Sequence, residues 1–598
     1  MNIQIKILVL LGVCAILMAP QSYGQDGSAL PTPKEEDKDA GVRFNGLGRT
    51  ILRNTEIDGP VLEADPETIR RQVDGEFLLD LQINAQPNDK TEVQSILRLR
   101  NEFGGFFGAG MSVEVRELWA RGIIGNAIKY HVGDMDIAMT PYTFYNFEEE
   151  GFVNNPAALE AQREVIYYEQ FYGNGNTRRV QGTKLDFGLN FTHVLRDADF
   201  SAFIARVRGT DFFTIPSRYT SGGHMKFRTR NISDSLGMRA DFGFNFVHTF
   251  DDLRSGEANT GIRNSIATFN WDFRLYQDRN TTVSLLGETG RSSLTETHDT
   301  LRTALFSIDD YFMDAGFKVA FREQKITVQG SYVDIGPDFF SIAAQSRRID
   351  LQNERSFYDR LGPDQQRRRM SIFDLNRDNL MYTFELSDRL MPYDPRFSNT
   401  MPYGLATPNR RGARFGAEYG GSEDLVEARL DAAFMSEILG QGTEELKNFT
   451  LLRAAANLNA HQLLDFENKL RFTFGYQFEN TQRGGVPVEQ IDLMSNMVEL
   501  GVEIELFKGF EVLVGGKYLQ AEGNEYVPQI DRFNVVRNFP EGYEADDREQ
   551  LLAVGLKYNF NPRAYLTMQY HNFQSRRGEN NPIDYNLDQI FVIYNMLF

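Results

Sequence analysis

Long apolar runs are missing from this chain once its N-terminal segment is passed, and that absence excludes a membrane protein built of helices. Mean hydropathy is −0.41, and nowhere after Met18 do the roughly eighteen consecutive apolar residues occur that a bilayer-crossing helix needs. Cysteine is almost absent as well. Cys14 is the single one, and it lies inside the N-terminal apolar run, so disulfides and thiol chemistry are not expected once that run is removed. The 7 His (His131, His193, His224, His248, His298, His461 and His571) are scattered, with no pair at metal-ligand spacing. G-x-S-x-G, H-E-x-x-H and P-loop patterns do not occur either. No catalytic residues, no metal, no cofactor and no enzyme activity are therefore expected. Basic charge is in deficit, with 63 Lys and Arg against 83 Asp and Glu and a net charge of −20, which argues against nucleic acid as a partner.

Lys6, the apolar stretch Ile7 to Met18, and the small residues Ser22 and Gly24 flanking Tyr23 make residues 1–24 a secretory signal peptide, with cleavage before Gln25. Lipidation of Cys14 would need a small residue before it, and Val13 is not one. Residues 25–41 are polar and charged and read as a short periplasmic tail. From Val42 to Phe598 the pattern becomes strand, short turn, strand, long loop. Phe77, Leu79, Leu81, Ile83 and Ala85 alternate with Glu76, Asp80, Gln82 and Asn84. After a turn at Pro87 to Lys90, Val93, Ser95, Leu97 and Leu99 alternate with Gln94, Arg98 and Arg100. Apolar residues every second position on a polar chain suit a wall with lipid on one side and water on the other, and 47 Phe and 25 Tyr against 2 Trp supply its lipid-facing residues and girdles. Further tight turns are expected at Arg196 to Asp199, Gln277 to Asn280, Arg322 to Lys325, Phe507 to Gly509 and Asn561 to Arg563. The expected fold is all-β: a large closed antiparallel transmembrane barrel of about 24 strands (between about 18 and 26) over residues 42–598. Long extracellular loops, short periplasmic turns and both termini in the periplasm go with it.

The final strand carries the most specific pattern. Ile590, Val592, Tyr594, Met596 and Phe598 form an apolar stripe at period two that ends on an aromatic residue. It resembles the C-terminal signature by which Gram-negative outer-membrane β-barrels are recognised for insertion. The resemblance implies an outer-membrane location, contact with membrane lipid and lipopolysaccharide, and recognition of this strand by the barrel-assembly machinery. Barrels energised from the inner membrane resemble one another in a plug domain of more than about a hundred residues before the first strand, and none fits before Val42, so that kind of active import is not expected. A second, looser resemblance lies in Arg116 to Arg121 followed by Lys129 to Asp134. Many porins have such a hairpin, in which one strand ends in an aromatic pair and its partner in a Gly-Asp or Gly-Arg step as the chain enters a long loop.

Lys184 to His193 reappears as Arg239 to His248, with Phe187, Leu189 and Phe191 matching Phe242, Phe244 and Phe246. Duplication of a hairpin and convergence on one alternation both account for it. A barrel this wide needs filling, and the candidates are the loops Met135 to Gln181 and Gly336 to Arg369. In the first, Glu148 to Glu150 read as a solvated acidic run and Pro156 to Arg163 as a short helix that folds into the lumen or docks a partner. Its aromatic residues, among them Tyr142, Phe144, Tyr145, Phe147, Tyr167, Tyr168, Phe171 and Tyr172, would make an exposed docking surface for other envelope proteins. The second holds Arg347, Arg348, Arg355, Arg360, Arg367, Arg368 and Arg369, either an anion-attracting pore lining or a surface set paired with carboxylates and lipid phosphates. Met401 to Pro408 reads as a rigid non-strand loop. Two functions are consistent with this reading. One is a porin-like channel for passive diffusion of small polar solutes. The other is a non-conducting barrel serving as a structural or scaffolding subunit of an outer-membrane assembly or secretion complex.

Overall fold

The computed structural model describes residues 41–60, 70–103, 111–146, 154–170, 176–210, 215–233, 235–253, 260–298, 304–345, 371–377, 386, 390, 393–464, 467–527, 541–578 and 583–598. Its strands are β1 (Val42–Asp58), β2 (Arg71–Asn88), β3 (Thr91–Glu102), β4 (Met111–Ile124), β5 (Ile128–Ile137), β6 (Arg178–Asn190), β7 (Leu195–Arg208), β8 (Ser217–Thr229), β9 (Arg239–Asp252), β10 (Thr260–Gln277) and β11 (Thr281–His298). They continue with β12 (Ala304–Phe321), β13 (Ile326–Ile335), β14 (Arg410–Tyr419), β15 (Val426–Ser436), β16 (Asn448–Asn459), β17 (Leu470–Arg483), β18 (Ile491–Phe507), β19 (Phe510–Val527), β20 (Glu541–Asn561), β21 (Ala564–Arg577) and β22 (Ile583–Leu597). Each strand pairs antiparallel with the next, and β1 pairs with β22 from Leu47↔Leu597 to Asp58↔Asn586, so one 22-stranded sheet closes on itself. With strands about 4.8 Å apart and tilted by about 40°, the wall is roughly 45 Å across.

The barrel therefore has 22 strands rather than about 24. Its strands outrun the roughly ten residues needed to cross a bilayer, reaching 21 residues in β20, so apportioning the chain by spanning length gives too many. One expected turn is also misplaced. Arg196 to Asp199 lie inside β7, and the chain reverses at 191–194, where Phe191 N donates to Arg196 O. Arg228 of β8 pairs with both Asp197 and Asp199. That acidic, polar run is thus a cross-strand ion-pair ladder, not a turn. The other expected turns fall at 89–90, 278–280, 322–325, 508–509 and 562–563, all on the rim where β1 starts and β22 finishes. The opposite rim carries the long connections 138–177 and 336–409.

The repeated segment occupies β6 and β9. Strands three apart in an up-and-down barrel run in opposite directions, whereas hairpin duplication shifts a copy by two strands and preserves direction. Convergence on the same alternation accounts for the repeat. The porin-like hairpin is present as β4 and β5, with Trp119 opposite Gly133 and Arg121 opposite His131. Its Gly-Asp step has a local cause. Gly133 adopts φ 108°, a Cβ there would lie 2.3 Å from Leu118 O, and Asp134 Oδ2 accepts the Leu118 N–H at 2.6 Å. Replacing Gly133 by Val is expected to lower barrel stability by about 1–3 kcal/mol, measured by denaturant unfolding in lipid vesicles.

Polarity is inverted relative to a soluble domain. Outward residues such as Phe77, Val113, Leu118, Phe246, Leu500, Val554 and Met568 are exposed, while Asp80, Glu499, Lys517 and Glu549 on the inner face are buried. What buries them is chain from the long-loop rim folded into the lumen. Three large apolar clusters, and a smaller one of Ala161 with Ile51, Phe591 and Ile593, attach those segments to the wall. One joins Ala158, Leu159, Ile372, Phe373 and Phe397 to Leu513, Leu551 and Phe573. The second places Phe144, Ile342 and Ala343 against Phe203 and Val247. The third places Tyr142, Phe339 and Met401 against Phe312, Val333 and Phe449.

A candidate site in the barrel lumen

The helix expected after Asn155 exists as α1 (Ala157–Gln170) and folds inward. Pro156 ahead of it fixes φ at a position where the missing N–H does no harm, and Ala, Leu, Glu, Gln and Arg then favour helix. Asn154 pins its start, donating its backbone N–H to Glu499 Oε2 at 2.7 Å and its side-chain amide to Asn457 Oδ1, Ala456 O and Phe474 O at 3.0 to 3.1 Å. The first turn rests on a floor without side chains. Gly501 and Gly515 face each other across β18 and β19, and a Cβ on them would meet Pro156 Cβ at 2.8 and 3.0 Å. Farther along, Gln162 donates to Gln589 at 2.8 Å and Tyr565 Oη donates to Glu164 at 2.6 Å. The helix thus lies across the inner wall from β18, past the β22–β1 seam, to β4.

Its last turn ends among arginines. Glu169 accepts from Arg49 at 2.5 Å and from Arg98 and Arg100 at 2.6 Å each. Arg116 donates to Tyr168 O and lies 3.9 Å from the Tyr168 ring centroid. Asp80 of β2 steadies the group, bonded to Arg98 at 2.7 Å and Arg116 at 2.6 Å and accepting from Tyr168 Oη. Glu76 lies 3.8 Å from Arg49 and 3.4 Å from Arg100. Burial pushes the Glu169 carboxyl up, but Arg49, Arg98, Arg100 and Arg116 together more than reverse this and hold it below the ordinary carboxylate value. Burial likewise pushes the Tyr168 phenol up, so it stays neutral.

Because the folded-state value is depressed, the latch is complete above the ordinary Glu range and is lost only as pH falls through the lowered value. Facing groups are Arg49, Arg98, Arg100, Arg116, Asp80, Glu76 and Tyr168. Protection of α1 from a soluble protease is expected to be flat from about pH 8 to about pH 5 and to fall below about pH 4.

Two more inward segments are fixed by charge. Arg396, on a single helical turn (Pro395–Ser398), is fully buried and holds Asp394 at 2.7 Å and Asp547 and Glu549 at 3.1 Å, while Arg577 adds a 2.6 Å bond to Glu549. Ile372 N also donates to Glu549, at 2.8 Å. Arg410 donates to the Thr400 and Asn399 carbonyls and stacks on Phe449, which makes 401–409 a packed, rigid segment as its prolines suggested. Under α1, at the short-turn rim, a cavity of about 910 Å³ is lined by Arg49, Tyr168, Lys557, Arg563 and Tyr565 among others.

The arginines Arg347, Arg348, Arg355, Arg360, Arg367, Arg368 and Arg369 lie outside the described residues, as do Glu148 to Glu150, Phe147, Phe171, Tyr172 and residues 1–40. Ile590 and Phe598 are exposed on the outer face, with Val592, Tyr594 and Met596 half-buried between them, whereas Phe591 and Ile593 point inward and are buried. The expected exposed aromatic surface is corrected: Tyr142 and Phe144 are buried in the lumen, and Tyr168 lies among the arginines. Apolar loop residues beside an incompletely filled barrel gain more by packing inside it than by facing water. Sequence reading placed Arg98 and Arg100 on the inner face but did not join them to Arg49, Arg116 and Glu169. The usable signal was two inward arginines in succession, which need a carboxylate from somewhere.

No family model matches the chain, and no curated protein matches it significantly. Among solved structures it is similar to the ferric citrate transporter FecA in its unliganded form, at 10% identity and TM-score 0.47, over 93% of this chain and 78% of that one. It is also similar to the FrpB iron transporter of Neisseria meningitidis, at 9% identity and TM-score 0.42, over 92% and 82%. OpdQ of Pseudomonas aeruginosa matches at 8% identity and TM-score 0.32, over 93% and 98%.

Proposed function

We propose that this chain is an outer-membrane barrel that conducts small polar solutes by passive diffusion and is closed in this state by its own inward segments. The observation that carries the reading is the inverted polarity: an apolar outer wall around a lumen lined by Arg, Lys, Asp and Glu. Lipid requires the first, and a path for polar solutes requires the second. In this reading the short-turn rim and both termini are periplasmic, the long-loop rim faces outward, and β22 is the strand engaged by the assembly machinery, with its outward stripe against lipid and lipopolysaccharide.

A second reading is favoured by the three large apolar clusters in the lumen. A barrel packed shut in this way would serve as a structural or scaffolding subunit of an envelope complex, with the long-loop rim meeting its partners. Current across a planar bilayer in a salt gradient separates the two. Stepwise conductance from the wild type, or from the variant Glu169→Ala with its helix unlatched, supports the channel. A folded barrel that stays silent in both would sink it and leave the scaffold.

A further inference from the structure

We propose that Arg49, Arg98, Arg100 and Arg116 form a binding station for small carboxylate solutes whose present occupant is the chain's own Glu169. The inference rests on the conduit reading above and names its solute class.

Three observations carry it. Asp80 and Glu76 belong to the strand wall and hold the arginines in place, whereas Glu169 arrives on a helix that is not part of the wall. Withdrawal of α1 would leave four guanidinium groups facing the two wall carboxylates, an uncompensated positive site whose planar forks match a carboxylate. Glu169 is also badly placed for its own helix, since it sits in a last turn with no basic residue, where the negative end of the helix dipole repels it. Only the arginines explain its position.

The site is incompletely filled even now. The Nε–H of Arg49, a side chain that is 3% exposed, has no hydrogen-bond partner among the described residues. Arg49 and Tyr168 also line the 910 Å³ cavity, so a solute reaches the station from the short-turn rim without crossing the packed clusters. In the same lining Lys508, Lys557 and Arg563 outnumber Glu164 and Glu505, which favours anions there. The volume lies in the range of sites that hold small molecules. A solute carboxylate displaces that of Glu169 on the same guanidinium groups.

Equilibrium dialysis of the full detergent-solubilised chain with radiolabelled succinate tests this without needing conduction. The Glu169→Ala variant is expected to bind at least about tenfold more tightly than wild type. Adding Arg49→Gln and Arg100→Gln, which spares the two arginines on Asp80, is expected to abolish the gain. Equal binding by wild type and E169A, or a gain that survives the two arginine replacements, overturns the proposal. Should the triple variant not fold, E169A is compared at low and at about 1 M salt, where screening acts within about 3 Å. A gain that persists undiminished there overturns it equally. Silence in the bilayer with succinate bound to E169A would sink the conduit reading alone.

Discussion

Replacing Arg396 by Met is expected to destabilise the barrel by about 3–5 kcal/mol and to free the segment around residues 393–400. Arg396 is wholly enclosed and, among the described residues, bridges Asp394 and Asp547, with Glu549 shared between it and Arg577. Removing one side of a buried ion group leaves the other side charged and unsolvated, which is costlier than never having had the pair. Met fills much of the volume, so the loss reports charge rather than a void. Denaturant unfolding in lipid vesicles should give a lower midpoint for R396M. The triple variant with Asp394→Asn and Asp547→Asn should recover most of it. A midpoint unchanged in R396M would show that the segment is held by Phe397 and its apolar neighbours instead.

The glycine floor under α1 gives the second large effect. Gly501→Val or Gly515→Val puts carbon where Pro156 and Ala158 already sit, at 2.8 Å for the first and 3.0 to 3.1 Å for the second. Overpacking of this kind costs about 1–3 kcal/mol, charged against the docking of one helix rather than against the whole sheet. An Ala158→Cys reporter, fully buried in the parent, should react with a membrane-impermeant maleimide about tenfold or more faster in either valine variant. Conductance should rise in parallel. Unchanged labelling would mean that the helix shifts along the wall without leaving it.

The wall was legible in the sequence because alternation is a local property. Phe77 to Ala85 and Val93 to Leu99 face outward as their spacing requires, and Asn155-Pro156 followed by good helix formers marks α1. What the lumen contains was far less legible. Phe591 and Ile593 are apolar on the inward face of β22, a sign that this face is covered, yet nothing local says by what. The cover comes from residues hundreds of positions away, and the strand register alone brings Arg49, Arg98 and Arg100 to one carboxylate. The strand number, 22 against about 24 and inside the expected range of about 18 to 26, was read slightly high for the opposite reason, since extended chain beyond the bilayer looks no different from chain within it.

The path of α1 across the seam also bears on how the molecule assembles. Asn154 needs Glu499, and Gln162 needs Gln589, so the helix has no complete seat until the last strands are in place beside β1. Contacts of such sequence separation form late and slowly. An arrested intermediate lacking only β21 and β22 would therefore lack the middle of the helix's seat, where Gln162 and Glu164 bond Gln589 and Tyr565, and joining the first strand to the last would complete the wall and that seat together.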